Sequence, residues 1–224
     1  DDDLRRIAGE DARRRFDLAA GETWRLTALA DPDRTGVVLS LHHIVADAVS
    51  LGVLLDDLMR LLSGRDLAAP SPGAYRAHAA ERAAAMAAGG DRQAAYWRRV
   101  LADPPAPLDF PPDRPRRTSA TRQGAAVAFS IPPETMRDAE AAARRQGVRV
   151  HALLAAAYAA LLHRLTGADD LVLGIPVSDR PAGHERTVGL YLNTMPLRLG
   201  AAPDMSGAEL AGAASYGMVD LLAN

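Results

Sequence analysis

Six prolines (Pro104, Pro105, Pro107, Pro111, Pro112 and Pro115) fall between Asp103 and Arg117. Proline lacks a backbone N–H and fixes φ, so it interrupts both the helical and the sheet ladder. The stretch is therefore expected to run as an extended connector. Regular structure must be built on either side of it.

Before the connector, Trp24, Leu26 and Ala28 alternate with Thr23, Arg25 and Thr27 in the run Glu22–Leu29. A turn cluster, Asp31 to Gly36, leads into a second extended run, Val37–His43. This pattern predicts an antiparallel hairpin. A helix is predicted over Val49–Leu62, where Leu51, Leu54, Leu55, Leu58, Leu61 and Leu62 recur at helical spacing and Ser63-Gly64 supplies a stop. Leu67–Gly73 reads as a loop. A helix over Ala74–Ala88 is expected to end at Gly89-Gly90, with another over Arg92–Leu101 carrying Tyr96 and Trp97.

After the connector, Ala125–Ile131 reads as a strand, and Pro132-Pro133 opens a helix that Gly147 closes. His151–Leu165 is a helix apolar on most sides, expected to be buried. Leu171–Val177 reads as a continuously apolar, buried strand, Tyr191–Leu199 as extended, and Met205–Leu222 as helical. There is no internal repeat. Mixed strands and helices without strict alternation predict an α/β (α+β) layered fold.

Composition narrows the function. The chain has 224 residues, enough to bury a core without a disulfide or metal staple. A net charge of −2 argues against a strongly basic nucleic-acid-binding domain. The absence of cysteine removes disulfide scaffolds, thiolate zinc sites and thiol nucleophiles. It also fits a reducing cytoplasm. No apolar run is long enough to span a membrane. The chain opens on Asp1 and closes on Asn224 within a helical pattern, so it is expected to be a piece of a longer polypeptide.

The cluster with chemistry in it is Leu41-His42-His43-Ile44-Val45-Ala46-Asp47-Ala48-Val49-Ser50. Alternation places His43 in one row with Val37, Leu39 and Leu41, at the end of a core-facing strand. Imidazole is the usual general base near neutral pH. Asp47 can brace that ring or cap the following helix. The bland reading is two histidines at a strand end, one solvated and one bonded in the core. A zinc site would need a third ligand from His78, His151, His163, His184 or a carboxylate, at no recognisable spacing. No Ser-His-Asp arrangement is legible.

His42-His43-x-x-x-Asp47 resembles the H-H-x-x-x-D-G motif of nonribosomal peptide synthetase condensation domains, in the chloramphenicol acetyltransferase-like superfamily. Further segments agree in order. Phe16-Asp17-Leu18 is similar to the family's F-D-L, and Tyr96-Trp97 with Leu108-Asp109-Phe110-Pro111-Pro112-Asp113-Arg114-Pro115 to its Y-W and L-P-x-D-R-P. Gly174-Ile175-Pro176-Val177-Ser178-Asp179-Arg180 is similar to G-x-P-V-x-x-R, and Val188-Gly189-Leu190-Tyr191-Leu192-Asn193-Thr194 through Arg198 to V-G-x-F-V-N-T-x-x-x-R.

The resemblance implies a two-lobe fold, incomplete at both ends. Residues 1–90 would be the C-terminal part of the first lobe and 91–224 the N-terminal part of the second. It implies an acyltransferase that joins a donor acyl or peptidyl thioester to an acceptor aminoacyl thioester through an amide, in antibiotic or other secondary-metabolite biosynthesis. Both substrates would arrive on phosphopantetheine arms of upstream and downstream carrier proteins, beside an adenylation domain in the same polypeptide. No tightly bound cofactor, metal, nucleic acid or membrane is implied, and the location would be cytoplasmic. His43 would be the catalytic residue, Asp47 its structural support and His42 a support of the loop. Asn193, Ala48 and Ser50 would face substrate, although capping is the better role for Ser50.

Position 48 is Ala where the motif has Gly, and the early R-H-x-x-L-R-T-x-F segment is missing. An arginine of that segment is the expected partner of Asp47, so Asp47 is expected here without one. Two other readings remain open: a stand-alone acyltransferase of the same motif making esters, and a non-catalytic remnant that docks carrier proteins. Leu51-Gly52 after Ser50 disfavours epimerisation, and the two histidines disfavour heterocyclisation.

Overall fold

Helix α1 (Asp2–Arg13) precedes the first strand and was not legible in the sequence. Leu4, Ile7, Ala8, Gly9 and Asp11 mark its covered face, a short stripe among charges. The computed structural model describes residues 2–31, 34–67, 73–112 and 126–223. The expected loop Leu67–Gly73, the tip of the first hairpin and the end of the proline connector lie wholly or partly outside them. The chain divides into two compact units, one of residues 1–88 with 177–193 and one of residues 89–176 with 194–224.

In the first unit, β1 (Trp24–Asp31) and β2 (Arg34–Leu41) pair antiparallel, with Trp24 opposite Leu41 and Leu26 opposite Leu39. The predicted hairpin is thus present, but its covered side is the opposite one. Helix α1 lies over the row of Arg25, Gly36 and Ser40. Arg25 Nε donates to Asp11 Oδ1 at 2.7 Å. A Cβ on Gly36 would stand 2.6 Å from a methyl of Leu4, so glycine is required by the close approach of the helix. The apolar row is left open, with Trp24 61% exposed.

Helix α2 (Ala48–Leu62) follows as predicted. It buries Ser50 and Val53, whereas Leu51, Leu55, Leu61 and Leu62 are exposed. Helix α3 (Ala74–Val100) is one element of 27 residues, not two. Gly89 and Gly90 keep helical backbone angles at about 1 kcal/mol each relative to Ala.

In the second unit, residues 126–131 are extended but take part in no described ladder, so the expected strand is not formed there. Helix α4 (Pro133–Arg145) starts on proline as predicted, and Gly147 ends it at φ 68°. Helix α5 (Val150–Thr166) buries one narrow stripe of Ala152, Ala156, Ala159 and Leu162. Leu154, Tyr158, Leu161 and Leu165 are exposed, so the helix is covered on one side only.

Strand β3 (Asp170–Ser178) alternates instead of being buried throughout: Leu171 and Leu173 face in and Val172 out. It pairs with β4 (Leu192–Gly200), in which Leu197 and Leu199 are buried. Helix α6 (Gly207–Ala223) opens on a reciprocal cap between Ser206 and Glu209. Its Ala211 and Ala214 are fully buried, small enough to let α5 and α6 pack closely.

Candidate functional site

Strand β2 stops at Leu41, and the two histidines occupy the turn beyond it. The His42 N–H still reaches the Thr23 carbonyl at 2.8 Å, the last rung of the hairpin. The Val45 N–H then closes the turn on the His42 carbonyl at 3.1 Å. The Ile44 N–H donates to His42 Nδ1 at 3.1 Å, so in the neutral ring the proton sits on Nε2. The ring also meets Phe16 edge to face, centroids 5.7 Å apart. His42 is therefore consumed in shaping the turn.

His43 stands on that turn and is exposed. The alternation argument, which put it at the end of a buried row, fails because the strand ends two residues earlier and the apolar row is the open one. The imidazole of His43 is open to solvent on this turn.

Asp47 is the anchor. It is the N-cap of α2, and its Oδ1 accepts from the Ser50 N–H at 2.8 Å. Oδ2 accepts from the Tyr191 N–H at 3.1 Å. Arg180 Nη2 lies 2.9 Å from Oδ1 and 3.0 Å from Oδ2. Burial alone would push this carboxyl up. The Ser50 N–H and hydroxyl, the Tyr191 N–H and the Arg180 charge outweigh it and hold Asp47 below its ordinary range. The expectation of an unpartnered Asp47 is thus overturned. Its cation comes from Arg180, far downstream.

Ser50 is fully buried. Its hydroxyl proton is shared between Asp47 Oδ1 at 2.8 Å and the Gly189 carbonyl at 2.7 Å. It accepts from the Gly189 N–H at 3.0 Å. This corrects the expectation that Ser50 faces substrate: it joins the turn to residues 177–193 and is out of reach of a ligand. Ala48, at the start of α2, and Asn193, in β4, are both exposed.

Arg180 also donates through Nη1 to the carbonyls of His184 at 2.8 Å and Thr187 at 2.5 Å. Its guanidinium carbon lies 4.1 Å from the centre of the Tyr191 ring. Behind Tyr191 stand Tyr75 and His78, ring centres 5.1 and 5.0 Å away. Sequence reasoning named His78 and His184 only as candidate zinc ligands, and gave Tyr75 and Tyr191 no role of their own. The only signal was the company of Tyr191 between Gly189 and Asn193. Arg198 forms an ion pair with Asp170 at 2.6 Å. Among the described residues, no group of three or more His, Asp or Glu is arranged to hold a metal ion, and no helix is long and apolar enough to cross a membrane.

Comparison with known proteins identifies the family of the chain. The profile of the Condensation domain family matches residues 1–215. Phosphinothricin tripeptide synthetase PhsB of Streptomyces viridochromogenes is 38% identical over 212 residues, which cover 92% of this chain and 18% of that protein. Malpibaldin synthetase of Mortierella alpina is 31% identical over 215 residues, which cover 91% of this chain and 4% of that protein. Among solved structures, the first condensation domain of the calcium-dependent antibiotic synthetase, in complex with a substrate analogue, superposes with a TM-score of 0.75 at 28% identity. All of this chain is covered there, and 51% of that one. The X-domain from teicoplanin biosynthesis, in its complex with OxyB, shares the fold at a TM-score of 0.85 and 23% identity. The chain spans about half the length of that condensation domain structure and a small part of the synthetases it resembles. With its profile matched over residues 1–215 and a relative 38% identical over 92% of its length, this chain belongs to the condensation domain family of nonribosomal peptide synthetases.

Proposed function

We propose that this chain supplies the motif turn of an amide-forming acyltransferase. The acceptor aminoacyl amine attacks the carbonyl of the donor acyl or peptidyl thioester. A C–N bond forms, the C–S bond breaks, and the donor arm leaves as a thiol. The attacking nitrogen loses one proton, which passes by way of His43 to the leaving sulfur. His43 is the residue that orients the amine and receives that proton, since imidazole can do both near neutral pH. Asp47 and His42 act on the turn and not on the substrate. Asn193 and Ala48 are the exposed candidates for contact with the arriving arms. Residues 1–90 and 91–224 would contribute to the first and second lobes respectively.

One observation carries the reading: an exposed His43 stands on a turn whose next anchor, Asp47, is buried and held by Arg180, Ser50 and Tyr191. A histidine with only a packing role has no need of such a mount. The partners are upstream and downstream carrier proteins with phosphopantetheine arms, and an adenylation domain in the same polypeptide.

The test is single-turnover condensation in a complete domain carrying this sequence, with both carrier proteins loaded and product read by intact-protein mass spectrometry. His43→Ala is expected to abolish the amide at unchanged fold. Equal product from both proteins would remove His43 from the reaction. Product with a hydroxyl acceptor alone would favour the ester-forming reading. Carrier binding without product from either protein would favour a docking role.

A further inference from the structure

The mount behind the motif turn closes on itself through two side chains that no part of the proposed chemistry uses. Tyr191 is buried, and its hydroxyl lies 2.9 Å from His184 Nδ1. His184 grips the site twice. Its carbonyl accepts from Arg180 Nη1 at 2.8 Å, and its ring holds the phenol whose face lies under the same guanidinium. The Tyr191 N–H in turn holds Asp47 Oδ2. A closed circuit results: His184 to Arg180, Arg180 to Asp47, Asp47 to Tyr191, Tyr191 back to His184.

The inner edge of Arg180 makes this circuit necessary. Its Nε is buried and has no hydrogen-bond partner among the described residues. The plane of the guanidinium is therefore set by its Nη bonds and by the tyrosine face alone. Anything that lets the ring tilt lets the cation tilt, and with it the carboxylate that anchors the turn of His43.

We propose that Tyr191 and His184 are a positioning pair for the His43 turn: their side-chain hydrogen bond fixes Arg180 and, through it, Asp47. The inference rests on the reading that His43 serves the reaction, and its test includes a measurement that does not. In a complete condensation domain carrying this sequence, Tyr191→Phe and His184→Leu break the bond, with the phenylalanine ring kept. His184→Asn restores it, because the amide places a polar atom near the position of Nδ1.

Hydrogen exchange of peptides covering residues 42–50 is expected to quicken in Y191F and H184L and to return to the wild-type rate in H184N. Exchange in α5 should not change. Turnover is expected to fall about 3- to 10-fold in Y191F and H184L, the scale of one hydrogen bond, with KM for both loaded carriers unchanged. Unchanged exchange at 42–50 in Y191F overturns the proposal whatever the activity. So does faster exchange everywhere, α5 included, which is loss of stability without positioning. Faster local exchange with normal turnover, in a domain that His43→Ala inactivates, also overturns it. If His43→Ala is fully active, the catalytic reading fails by itself, and the exchange data alone decide whether the pair holds the turn.

Discussion

Arg180 and Asp47, 133 residues apart in the chain, meet at 2.9 and 3.0 Å with both side chains more than nine-tenths buried. A charge so buried is tolerable only when it is paired and hydrogen-bonded. Here the carboxylate has Ser50 and Tyr191 as further donors, and the cation has two carbonyls as further acceptors.

Removing one partner strands the other. Arg180→Met should lower stability by about 3–5 kcal/mol, the cost of an uncompensated buried charge. Asp47→Asn should cost less than Arg180→Met, and the double variant less than the sum of the two. Urea unfolding at neutral pH measures all three, and strict additivity would contradict the pairing.

The same pair dictates an acid limb. The folded-state carboxyl of Asp47 is held below its ordinary range, and an unfolded Asp titrates near about 3.9. Its stabilisation is therefore complete above that value and is lost as pH falls through the folded one. Wild-type stability should drop below about pH 4, and that of Asp47→Asn should drop less steeply. Unfolding curves from pH 3 to 7 would show whether the two slopes differ.

Gly189 has no room for a side chain. A Cβ there would stand 2.7 Å from Tyr75 Cγ. The ring cannot swing aside freely, because its hydroxyl donates to the Leu190 carbonyl at 3.0 Å. Gly189→Ala should cost about 1–3 kcal/mol, the range for overpacking, and Tyr75→Ala in the same chain should recover part of it. A thermal melt of the single and double variants decides the matter.

Tyr96 is buried in the second unit, its hydroxyl donating to Asp220 Oδ2 at 2.7 Å. Burial and the Asp220 carboxylate push its phenol up to about 12. The stabilisation is present below the unfolded tyrosine value of about 10 and is lost as pH rises through the folded one. Tyr96→Phe should cost about 1.5–2 kcal/mol at neutral pH, the worth of a bond to a charged acceptor, and should flatten the alkaline limb. Chemical denaturation from pH 8 to 11.5 tests both parts.

Arg198 binds Asp170 through two nitrogens and also donates to the carbonyls of Val100, Ala102 and Asp103. It closes the end of α3. Lysine keeps the charge but cannot serve a carboxylate and three carbonyls at once. Arg198→Lys should cost about 1–2 kcal/mol, much of it from the carbonyl bonds, because the ion pair is part exposed and screened. A melt of the lysine variant indistinguishable from wild type would assign the whole effect to charge.

Local signals were legible in the sequence, and long-range ones were not. Proline and glycine marked both ends of α4, and a leucine recurrence marked α2, because caps and helical period act within a few residues. Gly89-Gly90 misled, since an alanine-rich helix tolerates two glycines when neither needs a positive φ. The buried side of the first hairpin was misjudged because α1 carries too few apolar residues to announce itself. Unseen, it covers the polar row through Arg25 and Gly36. At the site, the residue types were legible, but the turn was read as starting after His43, two residues later than it does. The partner of Asp47 was not, because nothing local links position 47 to position 180.

The return of residues 177–193 to the first unit has a consequence for anyone dissecting the protein. Cutting the chain after residue 90 would make a tidy piece with its hairpin, both histidines and Asp47. It would also leave behind Arg180, Gly189 and Tyr191, every long-range partner that Asp47 and Ser50 hold. Such a piece would carry the full signature and lack the means to keep it in shape.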